Sequence, residues 1–161
     1  MSVANTFWEK KALKDMNKEE WELLCDGCGR CCLNKVEYTD TKEIYYTNVA
    51  CKLLDPKSCR CSNYPERKRI VPDCIQLSAN VVKSMTYLPD TCAYRLLSEG
   101  KKLQDWHPLI SGNKSSVHDA GISVTNKTIS EEYVSNLDEH TIRWIKPIKL
   151  KNKKKSLRSS K

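Results

Sequence analysis

The sequence predicts an α+β fold: a small, loop-rich, metal-stapled single domain with short helices and a few short strands. Three observations point there. Helix-start signals introduce only brief amphipathic stretches. Runs of β-forming residues are short and isolated. Between them lie nine cysteines, punctuated by glycine and proline, in a chain of 161 residues that is 39% hydrophobic and has a single Phe. Such a chain buries a modest apolar core, and small cores are commonly stapled by metal or disulfide.

The elements follow in chain order. Thr6 with Glu9 three residues later has the form of a capping box, and Trp8, Ala12 and Met16 then recur at helical spacing. Asn17 with Glu20 marks a second helix start that carries Trp21 and Leu24 to the first cysteines. Core packing accounts for this aromatic stripe. Residues 43–47 (EIYYT) are rich in β-formers and predict a short strand. Residues 53–74 read as loop, because Pro56, Pro65 and Pro72 block any long helix. Residues 92–99 (CAYRLLSE) predict a helix that starts after Pro89-Asp90-Thr91 and stops at Gly100. Trp106–Leu109 (WHPL) reads as a turn, and residues 121–125 (GISVT) and 141–145 (TIRWI) predict strands.

The charge is unevenly placed. The chain has 28 Lys and Arg against 20 Asp and Glu, but nine of the basic residues and none of the acidic ones fall between Arg143 and Lys161. The rest is therefore near −1. This divides the chain into a cysteine-rich metal-binding domain, residues 1–145, and a basic disordered tail, residues 146–161. The tail's charge allows weak, non-specific attraction to nucleic acid or an anionic surface; a solubilising terminus is the simpler reading. Residues 1–11 have no apolar signal-peptide core, and no apolar run approaches the roughly 18 residues of a membrane span. The expected location is the reducing cytoplasm, where clustered cysteines act as metal ligands or redox centres rather than disulfides. There is no internal repeat, Gly-rich phosphate loop or Gly-x-Ser-x-Gly, and no spacing of Ser, His and Asp suggests a hydrolytic triad.

The cysteines carry the chemistry. Cys25-x2-Cys28-x2-Cys31-Cys32 lets sulfurs converge across a tight turn, with Asp26-Gly27 and Gly29 giving backbone freedom. The first spacings equal those of a bacterial ferredoxin run, but Leu33 stands where its final Cys-Pro would be. In extended chain the adjacent Cys31 and Cys32 would point to opposite faces, which argues against one mononuclear ion taking both. Cys51-x7-Cys59-x-Cys61-x12-Cys74 is the second group. Together Cys25, Cys28, Cys31, Cys32, Cys51, Cys59, Cys61 and Cys74 form the candidate ligand set, for zinc or for an iron–sulfur cluster. Thiolates at such density repel unless a cation neutralises them. Cys92 and His107 are additional candidates, though Cys92 also reads as a small apolar core residue. Tyr64, Arg67 and Arg95 are candidates for hydrogen bonds to thiolates, and Asp73 for a turn.

Residues 25–32 resemble the motif of the CxxCxxCC zinc- or iron-chelating domain family, and the later thiols, with Tyr64 and Arg67 before Cys74, follow that family's order. Residues 40–54, 72–106 and the WHPL segment are similar to its YcgN-like branch, to about Trp144. The resemblance implies metal binding and strengthens His107. A more distant group with the motif looks like the flagellin lysine N-methylases, which are longer. The leading expectation is a metal-binding protein. Two further roles fit the same residues: an iron–sulfur- or thiol-dependent enzyme, and a metal-carrying or nucleic-acid-associated accessory protein.

Overall fold

The computed structural model describes residues 6–150 apart from 75, 86 and 87. Along the chain run α1 (Phe7–Lys10), α2 (Lys18–Leu23), β1 (Leu33–Tyr38), β2 (Glu43–Ala50), α3 (Arg67–Ile70), α4 (Ala79–Ser84), α5 (Ala93–Ser98), α6 (Pro108–Ser111), α7 (Ser116–Asp119), β3 (Ile129–Ser130) and β4 (Ile148–Lys149). The α+β class predicted from the sequence holds. The chain packs as two compact units: Met1–Cys28 with Asp73–Ser123, and Gly29–Pro72 with Val124–Lys161.

The first unit is helical. Asn17 and Glu20 form the capping box that starts α2, the Asn17 side chain accepting from Glu20 N–H at 2.8 Å and the Glu20 carboxylate from Asn17 N–H at 3.0 Å. Thr6 makes no such side-chain cap. Instead α1 ends at Lys10 and a 3-10 turn occupies Leu13–Asp15, with Ala12 and Met16 extended on either side. The break changes the predicted stripe: Ala12 is exposed and Leu13 takes its place, so that Trp8, Leu13, Met16 and Trp21 pack against a core of Phe7, Leu24, Val82, Leu88, Ala93, Tyr94 and Leu103. Tertiary burial, rather than a continuous helix, collects these side chains. Tyr94 on α5 fixes α2 by donating its hydroxyl to Trp21 O at 2.7 Å. The predicted helix over 92–99 is present as α5, followed by Gly100 at φ +76°.

The second unit holds a mixed four-stranded sheet centred on β2. β1 and β2 form an antiparallel hairpin with Val36 opposite Tyr45 and Lys35 opposite Tyr46, and an irregularity falls between Leu33 and Lys35. β3 lies parallel to β2, with Val49 opposite Ile129, and β4 antiparallel, with Ile44 opposite Ile148. The core is Leu33, Tyr46, Ala50, Leu54, Cys59, Val124 and Ile145.

Two predicted strands are absent. In residues 121–125 Gly121 has φ +75° and Asn126, next along, φ +59°; the backbone turns twice and cannot extend into a ladder. In residues 141–145 only Thr141 pairs, as a single bridge to Thr47, before the chain bends to bury Ile145. The segment assigned to a tail from residue 146 is ordered at its start, since β4 pairs with β2 and Leu150 N–H donates to Lys42 O at 2.8 Å. Residues 151–161, on which the nucleic-acid or anionic-surface expectation rests, lie outside the described residues.

Ending the chain after Pro147 is therefore expected to cost about 1–3 kcal/mol relative to ending it after Leu150, the worth of two or three lost ladder hydrogen bonds. Urea denaturation of the two truncated proteins measures the difference.

Candidate metal centre

The first cysteine turn is built on satisfied backbone groups. Leu24 is fully buried, and its carbonyl accepts from His107 Nε2–H at 2.8 Å. His107 caps α6, its Nδ1 accepting from Leu109 N–H at 3.0 Å, which places the ring proton on Nε2. Both nitrogens are thus engaged and neither offers a lone pair to a metal. His107 is a structural tether, and its candidacy as a ligand fails on that geometry. Burial holds its pKa below the usual histidine value; the Leu24 carbonyl and Asp26 oppose the shift.

Past Leu24, Asp26 folds over the turn and its Oδ1 accepts from Cys28 N–H at 2.9 Å. Cys25 is exposed and Cys28 buried. Asp26 is only 5% exposed, and its Oδ2 is a buried oxygen with no hydrogen-bond partner among the described residues. Cys74 and Cys92 belong to the same unit and are both half-buried. Cys92 is the N-cap residue of α5 and packs against the core, the apolar role foreseen for it.

In the second unit Gly29, at φ +76°, leads into a 3-10 turn over Arg30–Cys32. Successive side chains there are about 120° apart rather than opposed, so Cys31 and Cys32 do not diverge as an extended chain would require: their thiols lie close enough to interact. Cys51 is tied alongside, its N–H donating to Cys32 O at 2.9 Å. The Cys51 sulfur accepts from Leu53 N–H at 3.5 Å. The hydrogen bond with Cys31, burial, and charge on Cys31 and Cys51 all push the Cys32 thiol far above its ordinary pKa. Lys35 opposes this. Its Nζ donates to Leu33 O at 2.8 Å, lies 3.5 Å from Cys31 O and sits 5.1 Å from the Tyr46 ring centroid. Burial lowers the Lys35 pKa, and the Cys31 and Cys32 sulfurs resist the shift.

Cys59 and Cys61 come from a hairpin-like loop closed by a Leu54–Cys61 bridge and by Asp55 N–H to Arg60 O. Cys59 is buried in the left-handed region at φ +60°, a conformation that a non-glycine residue keeps only where its surroundings enforce it. A Cβ at Gly29 would stand 3.5 Å from the Cys59 sulfur and 2.9 Å from Val124 Cγ2. The Gly29 backbone therefore occupies a cradle that only glycine fits.

The structure brings Cys31, Cys32 and Cys51 into mutual reach and seats Cys59 against Gly29; Cys61 lies in the same unit, while Cys25, Cys28 and Cys74 lie in the other. Among the described residues no three His, Cys, Asp or Glu side chains are grouped as a ready metal cage. The donor chemistry nevertheless suits zinc or iron: soft thiols, one accepting a backbone N–H, an orphaned carboxylate oxygen on the same motif, and a glycine cradle. Arg67 stacks on the Tyr64 ring at 3.7 Å and donates to Tyr64 O, and Arg95 bonds Leu88 O and Glu99. Sequence reasoning missed Asp26 and Lys35. A carboxylate inside Cys-x2-Cys was a visible signal for the first; nothing in the spacing pointed to the second.

Residues 24–93 match the family CxxCxxCC, described as "Putative zinc- or iron-chelating domain". The chain is 51% identical over 144 residues to a UPF0260 protein of Gluconacetobacter diazotrophicus, covering 89% of this chain and 90% of that one. A UPF0260 protein of Shewanella denitrificans is 51% identical over 138 residues, 86% of this chain and 94% of its own. One from Cellvibrio japonicus is 48% identical over 147 residues, 90% of this chain and all of its own. No solved structure matches the chain.

Two outcomes follow from this geometry. Gly29→Ala should cost about 2–4 kcal/mol, combining left-handed strain with overlap on Val124, whereas Gly121→Ala, with open space around it, should cost about 1–2 kcal/mol from strain alone; chemical denaturation compares them. His107→Asn keeps a cap acceptor but strands the Leu24 carbonyl, at about 1–3 kcal/mol. Because the folded His107 pKa is depressed, the unfolded chain takes up a proton that the native state refuses below about pH 6.5. That contribution to stability is complete above pH 7 and is lost as the pH falls. The stability gap between parent and His107→Asn should therefore shrink from pH 7 to pH 5 in parallel urea titrations.

Proposed function

The chain belongs to the UPF0260 family, and from that membership and its thiol arrangement we propose that it binds zinc or iron through clustered cysteines. The carrying observation is the grouping of Cys31, Cys32 and Cys51 beside the half-buried Lys35, whose ammonium bonds Leu33 O. Three thiolates at this spacing are strongly unfavourable unless a cation shares the site. Lys35 supplies one positive charge at its edge, and a divalent ion or iron cluster supplies the rest. Metal binding releases the thiol protons and adds its free energy to folding. Cys59 and Cys61 extend the set within the second unit, and Cys25, Cys28 and Cys74 supply thiols in the first.

The contact between Cys31 and Cys32 favours a polynuclear centre over a single ion. Neighbouring sulfurs can each bind a different metal atom of a cluster, whereas one tetrahedral zinc strains to accept both. The proposed compartment is the reducing cytoplasm, which keeps the thiols available. No helix among the described residues is long and apolar enough to cross a membrane.

Protein purified without oxygen should carry stoichiometric zinc or iron by elemental analysis. An iron–sulfur centre adds visible charge-transfer absorption and acid-labile sulfide. Chelation under reducing conditions should lower Tm by about 10 °C or more, as loss of a few kcal/mol does in a domain of this size, and Cys32→Ser or Cys51→Ser should lose metal. Metal-free protein with an unchanged melt would overturn the proposal.

A further inference from the structure

The geometry points to Asp26 as an oxygen ligand to the metal, acting with the Cys25 and Cys28 thiols of its own turn through the carboxylate oxygen that the protein leaves without a partner. The inference rests on the metal-binding reading and adds to its all-cysteine ligand set. A buried carboxylate oxygen without a donor is a rare and costly thing in a folded protein. At Asp26 one oxygen is fully used: Oδ1 accepts from Cys28 N–H at 2.9 Å, which fixes the side chain over the turn. The other, Oδ2, is buried and has no hydrogen-bond partner among the described residues.

His107, the histidine that interacts with Asp26 in this unit, does not relieve it. His107 is close enough for Asp26 to raise its pKa, but its Nε2–H is committed to Leu24 O and its Nδ1 to Leu109 N–H. With Nδ1 accepting a hydrogen bond and only Nε2 carrying a proton, the ring as placed is not a counter-charge. What remains is a fixed carboxylate oxygen one residue from Cys25 and two from Cys28. A first-row transition cation takes oxygen and sulfur donors together; one drawn to Oδ2 would have to recruit the two thiolates of the turn, which are not already grouped with it as a three-donor cage.

The opposite signs of two effects test the assignment. Asp26→Asn keeps an Oδ1 acceptor for Cys28 N–H and removes the charge. If Asp26 is a ligand, the variant should bind Zn2+ about tenfold or more weakly in competition with a chromophoric chelator, while its metal-free form melts at the same temperature as the metal-free parent or higher. Equal Zn2+ affinity in parent and variant overturns the inference. X-ray absorption at the metal edge of the unaltered protein gives a second readout that needs no variant to fold. An oxygen donor beside sulfur is expected, replaced by sulfur in Asp26→Cys. A sulfur-only shell in the parent, or an oxygen donor that persists in Asp26→Cys, overturns it. A parent with metal held by sulfur alone removes Asp26 and leaves the metal-binding proposal standing; a parent with no metal removes both.

Discussion

A fully buried carbonyl must find a donor or cost the fold 1 kcal/mol or more, roughly, and at Leu24 the donor comes from 83 residues further along the chain. That hydrogen bond sets the backbone immediately before Cys25, so the direction in which the cysteine turn leaves α2 depends on it. The same imidazole caps α6 through its other nitrogen. One ring therefore ties the end of α2 to the start of α6 within the first unit, and Tyr94 adds a second tie through Trp21 O. The short helices have too few turns to be stable alone; these crosslinks and the shared core hold them.

The second unit meets a different constraint, which is charge. Its hairpin positions Lys35 so that the ammonium turns back toward the turn that bears Cys31 and Cys32, helped by the irregularity between Leu33 and Lys35. Asn34, at the same irregularity, bonds Val49 O and Glu131, and Thr47 donates to Asn34 O. Polar side chains inside the strand thus answer the backbone groups that the broken register leaves over, and the strand can carry a lysine inward without unravelling. On the far side of the cysteine turn, Gly29 lets the backbone approach Cys59 and Val124 closely enough to close the core.

The legible parts of the fold were those with local causes. Asn17 with Glu20 encodes its own cap, the stretch from Pro89 to Gly100 brackets α5, and EIYYT marks β2 by composition. The illegible parts have distant causes. β1 carries Asn34, Lys35 and Glu37, which hide its alternation, and β3 and β4 are two-residue strands that exist only because β2 is there to pair with them. GISVT has strand-like composition but is overruled by the positive φ angles of Gly121 and Asn126. At the site, spacing identified the cysteine motif, while the opposed directions inferred for Cys31 and Cys32 assumed an extended chain where a 3-10 turn stands. His107 stood out because of its motif, but which ring atoms were already taken depended on Leu24 and Leu109, which no spacing reveals.

The outer edge of β2 is closed piecemeal, by Ile129–Ser130, by Thr141 with Ile142, and by Ile148–Lys149. All three pieces come from the last quarter of the chain. An open strand edge is a template for pairing with another molecule, and ribosomes deliver the chain from its N-terminus. The β1–β2 segment therefore leaves the ribosome before its cover, and any hairpin formed at that stage has a bare edge until residues 129–149 follow. Until then that edge is a template for pairing with another chain.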